Sequence, residues 1–181
     1  MKKYFNLRTL IILALLAAIG AVLGSLVAIK LPFGGVKMVQ VSLAPIPVML
    51  AGIFFGPLAG ALVGFVTDTS AFFIGGAQGA YNPIFSVTMA LVGVIAGLFY
   101  LRNKKNNVWK AIGTSITSQV VCSVALNTLA IWFFYHVPLK VLLPTRLISA
   151  AVEAPIYVVL LMLLVQALSP IALKVKKKET T

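Results

Sequence analysis

Residues 43–74 read LAPIPVMLAGIFFGPLAGALVGFVTDTSAFFI, and this stretch decides how many times the chain crosses a membrane. Its apolar core, Leu43–Val66, is either one helix, giving five spans in the chain, or two helices, giving six. The second alternative places a break at Gly56-Pro57. A break is favoured there because proline cannot donate a backbone hydrogen bond and restricts the residue before it.

The composition of the whole chain is that of a membrane protein. Of the 181 residues, 61% are hydrophobic and 10% are charged, whereas a soluble domain is about 45–50% apolar and about 25% charged. Apolar runs long enough to cross a bilayer lie on both sides of residues 43–74. We predict an all-α integral membrane protein, one compact bundle of six transmembrane helices. The helices run over about 9–29, 43–55, 57–75, 83–101, 108–135 and 142–168, followed by a basic tail over 169–181.

The distribution of positive charge favours six spans over five. Cytoplasmic loops of membrane proteins carry an excess of Lys and Arg. Six spans put both tails and the 102–107 link on one side, so we predict that both termini are cytoplasmic. With five spans, the 102–107 link and the basic tail would lie outside. The six-span cytoplasmic side carries Lys2, Lys3, Arg8, Arg102, Lys104, Lys105, Lys110, Lys174, Lys176, Lys177 and Lys178, and the outer side Lys30, Lys37 and Lys140.

Several function classes are disfavoured by what the sequence contains. The net charge of +12 comes from basic residues that flank apolar spans, so membrane orientation explains it better than nucleic-acid binding. Cys122 is the only cysteine, which excludes an internal disulfide and a cysteine-based metal site. No P-loop and no nucleophile-plus-base motif is present, so we predict that the chain is not an enzyme. The basic, apolar N-terminus resembles a signal peptide, but its apolar run is long enough to predict a retained helix.

Three of the 18 charged residues lie inside long apolar stretches, namely Asp68, Arg146 and Glu153. An ionisable group in hydrocarbon costs at least about 2.5–3.5 kcal/mol, so such groups face a protein interior, a partner charge or a wet cavity. Arg146 and Glu153 are seven residues apart and share one helix face. This pattern predicts a polar pocket in which Arg146 receives an anionic group. The alternative is that Arg146 reaches the interface and Glu153 is a structural hydrogen-bonding partner.

Further candidate residues cluster toward the outer side. The Lys30–Ser42 link and the glycine-rich Gly75–Asn82 link mix polar and aromatic residues, which favours contact with a bound molecule over simple connection. The aromatic residues are suited either to stacking on a flat ligand or to an interfacial belt. The predicted substrate-binding residues are Arg146, Asn127, Asp68, Asn82, Tyr81, Glu153, Phe72, Gln78, Lys37 and Trp132.

Small residues recur every third or fourth position along the first predicted helix. Such a stripe lets another helix approach closely, and it packs either against a partner subunit or against helices of the same chain. The residues predicted to dock a partner are Ala14, Ala17, Ala18, Ala21 and Gly24.

These motifs resemble those of a known family. The run FFGPLAGALVGFVTDTSAFF over 54–73 resembles the Gly-Pro-x-x-Gly…Gly…Asp signature of the S components of energy-coupling factor (ECF) vitamin transporters. Ala17-x-x-x-Ala21 resembles that family's docking motif. LNTLAIWFFY over 126–135 and LLPTRLISAAVEAPIYVVLL over 142–161 are most similar to its folate-specific branch. The resemblance covers essentially the whole chain.

The resemblance implies a mechanism and partners. It implies that the chain sits in a prokaryotic plasma membrane and needs no cofactor. It also implies that the chain binds folate or a reduced folate from outside, with the Lys30–Ser42 and Gly75–Asn82 links closed over the ligand. It further implies docking on a transmembrane T subunit with two ATPase subunits, followed by tipping in the membrane. The side-chain inventory also suits riboflavin, although Arg146 favours an anionic ligand. Alternatives from other classes are a solitary ion-coupled transporter, a small membrane enzyme using Asp68 and Glu153, and a structural subunit.

Overall fold

Helices make up most of the part of the chain that the computed structural model describes, residues 7–25, 29–33, 36–75, 81–101, 108–135 and 139–177. The predicted helical bundle is confirmed. One β-hairpin, β1 (Ile29–Phe33) and β2 (Val36–Val41), is added to it. The helices are α1 (Leu7–Ser25), α2 (Pro45–Phe55), α3 (Pro57–Ile74), α4 (Pro83–Leu101), α5 (Val108–Ser118), a π-helical segment (Gln119–Leu126), α6 (Asn127–Tyr135) and α7 (Leu139–Lys177).

The break predicted at Gly56-Pro57 is present. Gly56 has φ of 104°, a region that favours glycine, and Pro57 begins α3, where its missing N–H costs nothing. The helix before the break, α2, has only 11 residues and is therefore about 16 Å long, too short to cross a bilayer vertically. All of its residues from Ile46 to Ile53 are buried, so the protein itself encloses this short helix.

Helices α2, α3 and α4 pack closely because glycines line their contact. A Cβ atom added to Gly60 would lie 2.6 Å from the carbonyl oxygen of Gly93, and one added to Gly52 would collide with the same oxygen. A Cβ atom on Gly64 would meet the backbone of Met89. The glycines of the 54–73 run therefore let two backbones touch, as small residues do between transmembrane helices.

The first link departs from its prediction as a loop. Its strands are antiparallel, with Ile29 opposite Val41 and an irregularity between Leu31 and Phe33. The first helix, expected to reach residue 29, is assigned only to Ser25, and Ile29 already pairs as a strand. The backbone groups of this link therefore form hydrogen bonds between β1 and β2.

The last two spans also differ in detail from their predictions. The fifth span contains π-helical turns, in which the Asn127 N–H donates to the carbonyl of Cys122, five residues back. The last helix, expected to end at residue 168, continues to Lys177, so most of the basic tail is helical. Lysine, the commonest residue of that tail, is a good helix former.

By length and composition, five stretches of helix in the described part of the chain can cross a membrane, and Pro45–Phe55 is an additional short apolar helix. This agrees with six predicted spans of which the second is short. The main core lies between α2, α4 and α7, where Met49, Tyr100, Tyr157 and Leu161 are fully buried.

Candidate functional site

The carboxylate of Glu153 stands at the centre of a hydrogen-bonded cluster inside the bundle. Its Oε1 accepts from the backbone N–H of Ser42 at 2.9 Å, and its Oε2 accepts from Nε2 of Gln119 at 2.8 Å. The hydroxyl of Tyr157 donates to the carbonyl of Ser42 at 2.6 Å. Glu153 is only 6% exposed, so these donors replace the water that a buried carboxylate loses.

Arg146 lies two turns nearer the N-terminal end of α7, on the same face as Glu153. It and Glu153 attract each other electrostatically, yet the Nε of Arg146 is buried without a hydrogen-bond partner. Leaving a buried donor unpaired costs free energy, about 1–3 kcal/mol and more for a charged group. The guanidinium is therefore available to a further acceptor.

Asn127 lies at a depth similar to that of Arg146. Gln119 and Glu153 are bonded, and the fifth span runs antiparallel to α7, so residues at equal distances from this pair toward the same end of the bundle lie at similar depth. Asn127 is eight residues from Gln119 and Arg146 is seven from Glu153, and α6 and α7 are in contact. The Oδ1 of Asn127 is buried without a partner, as is the hydroxyl of its neighbour Thr128.

Asp68 belongs to a second polar network, between α3 and α4. The hydroxyl of Ser86 donates to Oδ2 of Asp68 at 2.7 Å and lies 2.7 Å from the hydroxyl of Tyr81. Tyr81 is in turn 3.0 Å from the hydroxyl of Thr69. One oxygen of Asp68 is thereby engaged, and Oδ1 can accept another donor.

Three aromatic rings pack together beside this network, and one of them belongs to Tyr81. The Tyr81 ring lies 5.2 Å from that of Phe72 and 6.5 Å from that of Phe73, the latter nearly parallel. Two of the residues predicted to bind ligand, Phe72 and Tyr81, therefore lie next to each other. Trp132 is not part of this group and is 46% exposed on α6.

The remaining predicted ligand residues have other placements. The side-chain oxygen of Asn82 accepts from the N–H of Ile84 at 3.1 Å, so it caps α4 at its N-terminus. Lys37 lies within β2, but its side chain is outside what the structure describes, and Gln78 lies outside the described residues altogether. The cap uses one acceptor position of the Asn82 amide, which has a second acceptor position and two N–H donors, so ligand binding by Asn82 stays a prediction.

The predicted docking stripe divides between two faces of α1. Ala17 and Ala21 are both buried. Ala17 packs with residues of the chain's own α2 and α3, and Thr67 Oγ1 lies 3.5 Å from the carbonyl of Ala17. A Cβ atom on Gly24 would meet Ala44 and Ala71. The exposed face carries the other two stripe members, Ala14 and Ala18. Of the predicted docking residues on α1, Ala14 and Ala18 are therefore the ones exposed to a partner subunit.

Sequence reasoning missed three members of the central cluster, Ser42, Gln119 and Tyr157. Gln119 was visible as an amide within an apolar span, the signal that singled out Asn127. Ser42 takes part through its backbone, which no side-chain pattern reveals. Within the described residues, no group of three or more His, Cys, Asp or Glu side chains lies close enough to hold a metal ion.

Comparisons with known proteins agree with this arrangement. A family model described as ECF transporter, substrate-specific component, matches residues 8–173. The folate transporter FolT of Clostridium novyi (strain NT) is 30% identical over 124 residues, which cover 68% of this chain and 71% of the relative.

Two solved structures have a similar fold. FolT bound with folic acid has a TM-score of 0.77 at 24% identity, over 90% of this chain and 95% of that one. The S component for biotin from an ECF-type ABC transporter has a TM-score of 0.73 at 20% identity, over 94% of this chain and 95% of the other. At these identities the two structures establish the fold alone.

Proposed function

This chain belongs to the substrate-specific components of ECF transporters, and on that premise we propose that it binds folate in the outer half of its bundle and delivers it to a partner complex. The observation that carries the proposal is that Arg146 and Asn127 each leave a buried polar atom without a hydrogen-bond partner. A charged donor and an amide acceptor lie at one depth on neighbouring helices, each with a buried atom that lacks a partner. The likeness to a protein named folate transporter FolT supports the choice of vitamin.

Folate has chemistry that suits both halves of the site. Its glutamate end carries two carboxylates beside an amide N–H. A guanidinium binds carboxylates with a planar fork, so Arg146 takes a carboxylate and Asn127 Oδ1 accepts from the amide. The pterin end is flat and presents amino and ring N–H donors. Phe72 and Tyr81 stack on that ring system, and Asp68 Oδ1 accepts from its edge.

Riboflavin is the main alternative ligand for this site. It is flat and suits the aromatic rings, but it has no carboxylate to pair with Arg146. Hydrogen bonds between two charged groups are stronger than bonds to a neutral acceptor, so an anionic ligand that pairs with the buried Nε of Arg146 is favoured over riboflavin.

The role of Arg146 can be tested with a folate derivative that lacks the two negative charges. Folate and its dimethyl ester share the pterin, but the ester has no carboxylate. Arg146→Ala is expected to weaken folate binding about 10- to 100-fold and to leave ester binding nearly unchanged, measured by calorimetry on the purified chain.

The matched control is Lys140→Ala, which removes an exposed cation from the outer end of the same helix and should alter neither ligand. Equal losses for folate and the ester would mean that Arg146 supports the fold rather than the glutamate end. No loss for either would remove Arg146 from the site.

Delivery requires partners, and α1 is where we place the first of them. We infer that a T subunit packs against the exposed face of α1 at Ala14 and Ala18, with ATPase activity residing in two further subunits. Both termini of this chain then face the cytoplasm, and the bundle tips so that its site opens inward. The basic residues that flank the spans support this orientation.

A further inference from the structure

Ser42 is held through both of its backbone groups. It directly follows β2 and lies just before α2. Its N–H donates to Glu153 at 2.9 Å and its carbonyl accepts from Tyr157 at 2.6 Å. Glu153 and Tyr157 are one turn apart on α7, so one helix face holds Ser42 through the two peptide units that flank it.

Gln119 ties a third element to the same point. It is the first residue of the π-helical segment, is 5% exposed, and donates to the second oxygen of Glu153 at 2.8 Å. Turns of π-helix are frequent at functional sites. The end of the hairpin, the fifth span and the last helix therefore meet at one carboxylate, although its two partners are 34 and 111 residues away in the chain.

Burying the Glu153 carboxylate costs more free energy than packing an apolar side chain in the same place. A carboxylate in a membrane bundle is expensive, and hydrogen bonds to an ionised acceptor are roughly twice as strong as neutral ones. Both oxygens of Glu153 are engaged by the protein itself, so the carboxylate does not need a ligand to be satisfied. The strand β2 also contacts α7, which places the hairpin beside the outer half of that helix.

We propose that Glu153, Tyr157 and Gln119 form a clamp on Ser42 that fixes the end of the hairpin against α7 and thereby retains the bound ligand. In this clamp Glu153 and Tyr157 hold Ser42, and Gln119 is a positioning residue that orients the carboxylate. Glu153 thus acts through the hairpin rather than through ligand contact. Only the ligand readout of this inference rests on the proposed function.

The clamp itself is tested without ligand by amide hydrogen exchange in the purified chain. Tyr157→Phe removes one hydroxyl and keeps the buried ring, and Glu153→Ala removes the carboxylate. Both are expected to accelerate exchange about tenfold in the peptide that covers residues 40–44. Tyr100→Phe, which changes another fully buried tyrosine, should not. Unchanged exchange in Tyr157→Phe and Glu153→Ala would overturn the clamp.

An exchanged pair separates hydrogen-bond geometry from charge. In the double variant Gln119→Glu with Glu153→Gln, residue 153 can still accept from Ser42 and donate to residue 119, but the negative charge has moved to the other helix. Protection of residues 40–44 that is lost in Glu153→Gln and restored in the double variant supports Gln119 as the positioning partner. Protection that is lost in both Glu153→Gln and the double variant would overturn that role and assign the hold to charge on α7.

Ligand retention is measured by the rate of folate dissociation. Tyr157→Phe is expected to speed dissociation about tenfold with a smaller effect on association, because the variant loosens the hairpin and leaves Arg146 and Asn127 intact. Faster exchange without faster dissociation would overturn the link to retention. A wild-type chain that fails to bind folate would contradict the proposed function, while the exchange experiment still decides the clamp.

Discussion

Two asparagines show how one side chain takes different roles within this molecule. Asn82 precedes Pro83 and uses its Oδ1 to cap α4, a local arrangement that its sequence neighbours explain. Asn127 begins α6 with its Oδ1 buried and without a partner. Both were equally plausible ligand residues from the sequence, and only the hydrogen bonds distinguish them. At this scale, a polar residue is a candidate for ligand binding when the fold leaves it unsatisfied.

Asp68 offers a prediction at the same scale. Asp68→Asn keeps the bond from Ser86 but replaces the other oxygen by an amide donor, which cannot accept from a pterin edge. We expect affinity to fall about tenfold for folate and for its dimethyl ester alike, since both share the pterin. Calorimetry on the purified variant measures it.

The control for Asp68 is Thr88→Val, which alters a buried hydroxyl on α4 that bonds only within its own helix among the described contacts. Unchanged affinity in Asp68→Asn would assign Asp68 to the support of Ser86 and Tyr81 rather than to the ligand.

At the scale of elements, α1 has two faces with different tasks. Ala17, Gly20 and Ala21 let α1 approach α2 and α3, so the spacing that predicts a docking motif also builds the fold. The opposite face, with Ala14 and Ala18, is exposed beside large apolar residues such as Leu15. In a membrane protein this face contacts lipid or a partner helix, and its small residues suit the latter.

Tryptophan substitutions on the two faces should have opposite effects. Ala14→Trp and Ala18→Trp are expected to abolish co-purification with the T subunit and to spare folate binding. Ala17→Trp should lower thermal stability and folate binding together, because no space exists beside Val48 and Val63. Leu62→Trp, at an exposed site on α3, is the control and should change neither. A complex that survives Ala14→Trp and Ala18→Trp would contradict this docking face.

The hairpin illustrates what the sequence offered at the element scale and what it did not. Gly34-Gly35 stands between two runs containing β-branched residues, a pattern that indicates a tight hairpin. That signal was present within a link predicted to be functional. Its attachment was beyond prediction, because the Ser42 backbone meets Glu153 across 111 residues of sequence. The π-helical turns likewise depend on tertiary packing.

For the molecule as a whole, charge and glycine patterning predicted the architecture. The Gly56-Pro57 break and the basic links were enough for six spans, because both follow from general rules of backbone geometry and membrane insertion. The Arg146–Glu153 spacing placed both on one face of α7. Which polar groups pair with each other, and which remain unpaired, required the three-dimensional arrangement of helices distant in sequence.

Orientation in the membrane is a prediction at this scale. In a Cys122→Ala background, single cysteines at Lys104, Lys140 and Thr181 can be labelled in intact cells with a membrane-impermeant maleimide. We expect labelling at residue 140 and none at 104 or 181 until the cells are opened. Labelling of residue 104 or 181 in intact cells would contradict cytoplasmic termini.

The most direct test of the account is calorimetric titration of the detergent-purified chain, without partners, with folate and with riboflavin. Arg146 and Asn127 favour an anionic ligand, so we predict saturable binding of one folate per chain and no binding of riboflavin. Riboflavin binding without folate binding would keep the family and overturn the ligand. Failure to bind either vitamin, in a sample shown to be folded, would contradict the proposed site.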